Sequence, residues 1–208
     1  MAETKEKAKA QNRAFQEMKK AALERLQEKP AEQAAEKTGA VWKAQQGQLE
    51  LISLGQRIQI AYPSWEIEEE LEEWHTLLLY HYLDMADGTP LSREWVTFGN
   101  LKDGLIRGTG FDRTADMELG KFLKGKEIGE LKSIFERLGA ETVDGRGDLS
   151  VEISIFPRYP FLLNIWLEDE EFPGPPACLH PADRYRQLPG NRTTITLRGE
   201  IAYGDRVG

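Results

Sequence analysis

Apolar and polar positions alternate with two different periods along this chain, and the switches between them outline the elements. Val151, Ile153 and Ile155 alternate with Glu152 and Ser154, the period-2 signature of a half-buried strand. A second run follows at once. Phe161, Leu163, Ile165 and Leu167 share one parity, and Leu162, Asn164 and Trp166 share the other. That run is apolar on nearly both faces, which predicts a strand inside a sheet. Pro157-Arg158-Tyr159-Pro160 lies between them. Proline donates nothing to a ladder, so it marks strand ends, and the short connector predicts an antiparallel hairpin.

Upstream, Leu49, Leu51 and Ser53 alternate with Glu50 and Ile52, and Ile58 and Ile60 share a face of a further run. Leu54-Gly55-Gln56 joins the two as a hairpin, with a third strand expected near Val41. Helical spacing dominates elsewhere. Residues 1–29 are rich in strong helix formers, with a narrow stripe of Phe15, Met18, Ala22 and Leu26. Pro30 suits the first residue of a second helix and Gly39 its stop. Ser64 is placed to cap a long helix over residues 66–85, whose acidic start suits the positive dipole end. Its expected core stripe is Ile67, Leu71, Trp74, Leu78 and Met85.

Trp95 and Phe98 read as core anchors, and residues 99–110 as a Gly-rich loop. Two more helices are expected over 114–123 and 127–138, the latter with a stripe of Ile128, Leu131, Ile134, Phe135 and Leu138. Residues 144–148 form a turn into the central hairpin. After Pro176 the chain reads as irregular, with a last strand expected over 193–197. Together these elements predict an α+β fold: a mostly antiparallel sheet with helices packed on one side and an N-terminal helical extension. The expected division is a helical segment over 1–37 and one α+β domain over 38–208.

Composition narrows the function classes. The chain has 208 residues, is 40% hydrophobic and 30% charged, and carries a formal charge of −8. An acidic balance disfavours nucleic acid and anionic membrane surfaces as partners. One cysteine, Cys178, leaves no intramolecular disulfide and no Cys-based zinc or iron–sulfur site in one chain. It fits a reducing cytoplasm. The charged N-terminus has no apolar h-region, so no secretory signal is expected.

The chemistry concentrates after the second strand of the central hairpin. Glu168-Asp169-Glu170-Glu171 follows Trp166, and Phe172-Pro173-Gly174-Pro175-Pro176 follows in turn. In extended geometry Asp169 and Glu171 share a face, about 6–7 Å apart at their Cα atoms, a spacing two carboxylates use to share a cation or a basic partner. His180 comes nine residues after Glu171, across a proline-rich loop. If the loop folds back, Asp169, Glu171 and His180 make a mixed carboxylate–imidazole metal site or an acid–base group. A solvated acidic turn and an exposed loop histidine are the plainer readings.

Other near-motifs resolve to structure. Gly120-Lys121-Phe122-Leu123-Lys124-Gly125-Lys126-Glu127 approaches a phosphate-binding loop, but Glu127 stands where magnesium needs Ser or Thr, and helix rather than strand precedes it. A turn between helices is the expected role. Glu72-Glu73-Trp74-His75 supplies one Glu-x-x-His, and a di-iron site needs two. His75 and His81 lie about 120° apart around a helix and do not share a metal. Each is expected as a hydrogen-bonded core or boundary histidine.

A family resemblance rests on several segments in order. They are Leu79-Tyr80-His81-Tyr82-Leu83, Asp87-Gly88-Thr89-Pro90-Leu91, Glu94-Trp95-Val96-Thr97-Phe98, Phe156-Pro157-Arg158-Tyr159-Pro160 and Trp166-Leu167-Glu168-Asp169-Glu170-Glu171-Phe172-Pro173. With these the chain resembles the prokaryotic family catalogued as domain of unknown function 3786, over about 38–183. The resemblance implies a cytoplasmic protein of anaerobic bacteria or archaea. Some relatives carry a cysteine-rich iron–sulfur segment like that of corrinoid proteins, which this chain lacks. Where relatives read Leu-Phe-Asp after the acidic motif, this chain has Cys178-Leu179-His180, and the acidic pair expected near residues 188–193 is absent. A site built on those acids is altered or lost here.

Three functions follow as expectations. The first is a cytoplasmic accessory protein that binds a protein partner or small ligand without catalysis of its own, using Trp166, Asp169, Glu171 and His180. The second is a metal-dependent enzyme using the same acidic site. The third, implied only by the resemblance, is an accessory factor of anaerobic corrinoid or iron–sulfur one-carbon metabolism. No cofactor is named by the sequence.

Overall fold

A computed structural model describes residues 2–91, 95–97, 110–167 and 184–186. Among these described residues are five helices and eight strands in two sheets. The order is α1 (Ala2–Leu26), α2 (Ala31–Thr38), β1 (Val41–Lys43), β2 (Gln48–Ser53), β3 (Gln56–Ala61), α3 (Glu73–Met85) and β4 (Trp95–Thr97). Then come α4 (Gly110–Leu123), α5 (Ile128–Arg137), β5 (Glu141–Thr142), β6 (Leu149–Phe156), β7 (Tyr159–Ile165) and β8 (Arg184–Arg186). The class is α+β, and β1–β2, β4–β8, β5–β6, β6–β7 and β7–β8 all pair antiparallel. The strands form a sheet of order β1-β2-β3 and another of order β4-β8-β7-β6-β5, where the sequence suggested one.

By contacts the chain falls into two units. One comprises residues 1–50 and 58–88, the other residues 51–57 and 89–208.

In the first unit, α1 and α3 run side by side in the same direction. Gln16 Nε2 donates to Glu73 Oε1 at the start of α3 (2.8 Å). Lys19 Nζ lies 5.6 Å from the centre of the Tyr80 ring. Arg25 Nε reaches Asp84 Oδ2 near the end of α3 (2.6 Å). Ala22 and Leu26 are fully buried, as the stripe predicts, but Met18 is exposed and Lys19 takes the inward position. α2 stops at Gly39, whose left-handed backbone (φ 74°) donates its N–H to Ala35 O. That conformation suits glycine because no Cβ meets the preceding turn. Pro30 stands one residue outside the helix, at its N-cap.

The long helix expected over 66–85 begins only at Glu73, so its N-terminus is corrected by seven residues. Ser64 does not cap it. Its Oγ instead accepts from Glu66 N–H. Trp65 adopts φ 61° and is fully buried. Ile67 then bridges to Ile60, and Glu68 N–H donates to Gln59 O. The outer edge of β3 takes up backbone groups that the helix would have used. Glu69 adds to this by accepting Gln59 N–H with its carboxylate. The stripe changes too. His75, Leu77, Leu79, Tyr80, Tyr82 and Leu83 are buried, while Ile67, Leu71, Trp74, Leu78 and Met85 are only partly so. α3 packs against both α1 and α2, so more than one of its faces is covered.

In the second unit β6 and β7 pair from Leu149↔Ile165 to Phe156↔Tyr159, with a bulge between Ser154 and Phe156. β7 lies between β6 and β8, the interior place that its two apolar faces predict. β8 replaces the irregular chain expected there, and residues 193–197 lie outside the described residues. Trp95 sits half-buried in β4, and Phe98 lies outside the described residues. α5 packs on β6 through Leu131, Ile134 and Phe135, while Ile128 is exposed.

Two pieces of chain occupy the far edge of β6. Val143 N–H donates to Ser150 O, and β5 pairs with Val151 and Glu152. The 51–57 hairpin tip then takes over, with Leu54 N–H donating to Ser154 O (3.3 Å) and Ser53 Oγ to Ile155 O (2.6 Å). The tip is a two-residue turn in which Leu54 (φ 48°) and Gly55 (φ 75°) are both left-handed, as hairpin twist requires. Gly55 and Gly139 meet back to back. A Cβ on Gly139 would lie 2.7 Å from Gly55 Cα.

Candidate functional site

The end of β7 is where the expected binding residues begin, and a tight loop fixes it. Asn164 is buried, and its Oδ1 accepts from Ser150 Oγ (2.8 Å) and Arg146 N–H (3.2 Å). A side chain on Gly145 would overlap Ser150 Oγ, and one on Gly147 would overlap Ile165 O. Only glycine lets the loop press this closely on the strand end. One step further, Asp148 Oδ2 accepts Leu167 N–H (2.8 Å). The backbone leaving β7 is therefore held by a carboxylate up to Leu167. Trp166 is half-buried there. Asp169, Glu171 and His180 lie outside the described residues, as do the rest of the acidic run and Cys178. Of the four binding residues read from the sequence, the structure places Trp166.

The other chemistry-bearing side chains sit in the first unit. His75 is buried and stacks on Trp74, with ring centres 5.1 Å apart. Burial lowers its pKa to about 4, so the imidazole is neutral at neutral pH. His81 is lowered as well, chiefly by burial and also by Arg25, with Asp84 opposing. Asp84 is the cluster's anchor. Its side chain is 6% exposed and meets Arg25 (2.6 Å) and Lys29 (3.0 Å). The Lys29 ammonium also donates to the Asp84 backbone carbonyl. These contacts join α1 to α3 and escaped the sequence reading. The one available signal was Arg25 and Lys29 at i, i+4, continuing the stripe of α1.

An aromatic group forms at β1 and the turn after β3. Tyr62 meets Trp42 and Trp65 edge-on, at ring-centre distances of 5.5 and 5.6 Å. The indole N–H groups of both tryptophans are buried and make no hydrogen bond among the described residues. Residues 120–123 close α4 and residues 124–127 form the turn to α5, with Gly125 at φ 74°. Among the described residues no group of three or more His, Cys, Asp or Glu side chains is placed to hold a metal. No helix among them is long and apolar enough to cross a membrane.

A family model, described as domain of unknown function (DUF3786), matches residues 30–182. The chain belongs to the DUF3786 family. The match covers α2 through β7 and the acidic run, and leaves α1 outside. No curated protein and no solved structure matches the chain. The DUF3786 segments quoted above fall on the buried half of α3, on β4 and its flanks, on the β6–β7 turn and on the β7 exit.

Proposed function

We propose that this chain is a cytoplasmic accessory protein that binds a protein partner or small ligand at the segment leaving β7, with no catalysis of its own. The observation supporting this reading is the anchoring of that segment. Asp148 holds Leu167 N–H, and Gly145 and Gly147 press against the strand end. Binding surfaces work best when rigid elements position them. Trp166 and the acids that follow supply an aromatic face and negative charge, chemistry suited to a basic or cationic group.

The test combines metal analysis with capture. Purified protein is expected to carry no stoichiometric metal. From native extract it is expected to retain one specific partner, which Trp166→Ala and Asp169→Asn each release. Stoichiometric metal that Asp169→Asn and His180→Ala both remove would overturn the non-catalytic reading in favour of a metal-dependent enzyme. Capture of a corrinoid or iron–sulfur protein would specify the accessory role. Capture unaffected by either substitution would move the binding surface away from the β7 exit.

A further inference from the structure

The seam between α1 and α3 is built unlike a permanent core. On α1, Phe15, Lys19, Ala22 and Leu26 follow one another at 4-3-4 spacing, and on α3 Glu73, Leu77, Tyr80 and Asp84 do the same. This is the spacing of a two-helix seam, and the three cross-contacts advance together along both helices, so the pair is parallel. Yet α1 fills its side poorly. A lysine occupies one of four positions, an alanine another, and Met18 points to solvent. The α3 side is more demanding. The Tyr80 ring takes a cation, and the enclosed Asp84 carboxylate requires one. A buried charge is tolerated only when paired, so whatever covers this face must bring basic groups. The family match contains α3 and excludes α1, so the surface belongs to the family unit and its cover does not.

We infer that the α1-facing side of α3 is a helix-docking surface, with α1 as its displaceable occupant, and that it takes a parallel amphipathic helix carrying basic side chains opposite Tyr80 and Asp84. The inference is independent of the reading of the β7 exit. α1 itself shows the chemistry of the occupant. A competing helix with a larger apolar group at the Ala22 position, and the Lys19, Arg25 and Lys29 charges kept, fits the same face better.

The probe is a fluorescent peptide of residues 13–29 carrying Ala22→Leu. The hosts are the full chain, its Leu26→Ala variant and, as a milder second host, Arg25→Ala. Weakening α1 should raise apparent affinity about tenfold or more, because the competent fraction rises. Adding Asp84→Asn to either host should cancel most of that gain. Hydrogen exchange should show residues 15–26 opening well before α3. The inference is overturned if the peptide binds all hosts alike, if Asp84→Asn leaves binding unchanged, if folded Leu26→Ala and Arg25→Ala hosts ignore the peptide, or if α1 exchanges only by global unfolding.

Discussion

The α1–α3 seam and the β6 edge solve the same problem, attaching one piece of chain to another, by opposite means. The seam is held by side chains. Arg25 and Lys29 neutralise Asp84, Lys19 lies over Tyr80, and among the described side chains of α1 only Ala22 and Leu26 are fully buried. The β6 edge is held by backbone. Main-chain N–H groups of Val143 and Leu54 satisfy β6 carbonyls, and two glycines permit the approach. Side-chain attachment can be loosened by salt, pH or a competitor. Backbone attachment yields only when the local fold does.

The largest effect is expected at the glycine contact. In Gly139→Ala a Cβ meets Gly55 Cα in a left-handed backbone at φ 72°. Steric crowding and the conformational penalty together should cost about 2–4 kcal/mol, read as a lower urea midpoint. An unchanged midpoint would show that the hairpin tip is not clamped there.

Acid should strike the helical side. Burial depresses the folded pKa of His75 to about 4, below the ordinary value of 6.5. Its stabilising contribution is complete above about pH 6.5 and declines as pH falls toward 4, because the unfolded chain binds the extra proton. The decline amounts to about 3 kcal/mol at about 1.4 kcal/mol per pH unit. His75→Gln should flatten that limb of the stability–pH curve, measured by urea titration at several pH values.

Asp84→Ala comes next. Arg25 is 54% exposed and returns to water when its partner goes, so the loss should stay near 1–2 kcal/mol. High salt should shrink the difference between variant and parent. A salt-independent loss of 4 kcal/mol or more, the range for stranding a fully buried charge, would show a sealed pair instead. The smallest effect is expected from Asp148→Ala, which removes one exposed acceptor of Leu167 N–H and should cost about 1 kcal/mol. The informative readout is local: faster hydrogen exchange at Leu167 with the β6–β7 pairing unchanged.

β2, β3, β6 and α5 were legible because each buries one set of positions against one neighbour. Val151, Ile153 and Ile155 are buried as their alternation requires, and so are Leu131, Ile134, Phe135 and Leu138. α3 was not legible in the same way. With α1 on one side and α2 on another, several faces are covered, and a single stripe has no meaning. Its start was misplaced because the acidic run looks equally suited to a helix N-terminus and to the pairing it makes beside β3. β8 was missed because Arg184-Tyr185-Arg186 has no apolar alternation, and its pairing with β7 and β4 is wholly long-range. For the candidate site, the sequence marked the β7 exit through its acids. It gave no hint of Asp148, Gly145 and Gly147 as the group that anchors it, since turn composition alone carries no partner information.

The closed edge of β6 also bears on how the protein is made. A long, apolar, unpaired strand is the kind of template on which a second chain can grow. By parity the Ser154 carbonyl faces away from β7, and it is met there by Leu54. Ser53 and Ile155 lie 102 residues apart in the chain. The 51–57 tip therefore leaves the ribosome long before β6 does. This long apolar strand is synthesised after part of its cover, so a partner for its edge is already made when it emerges.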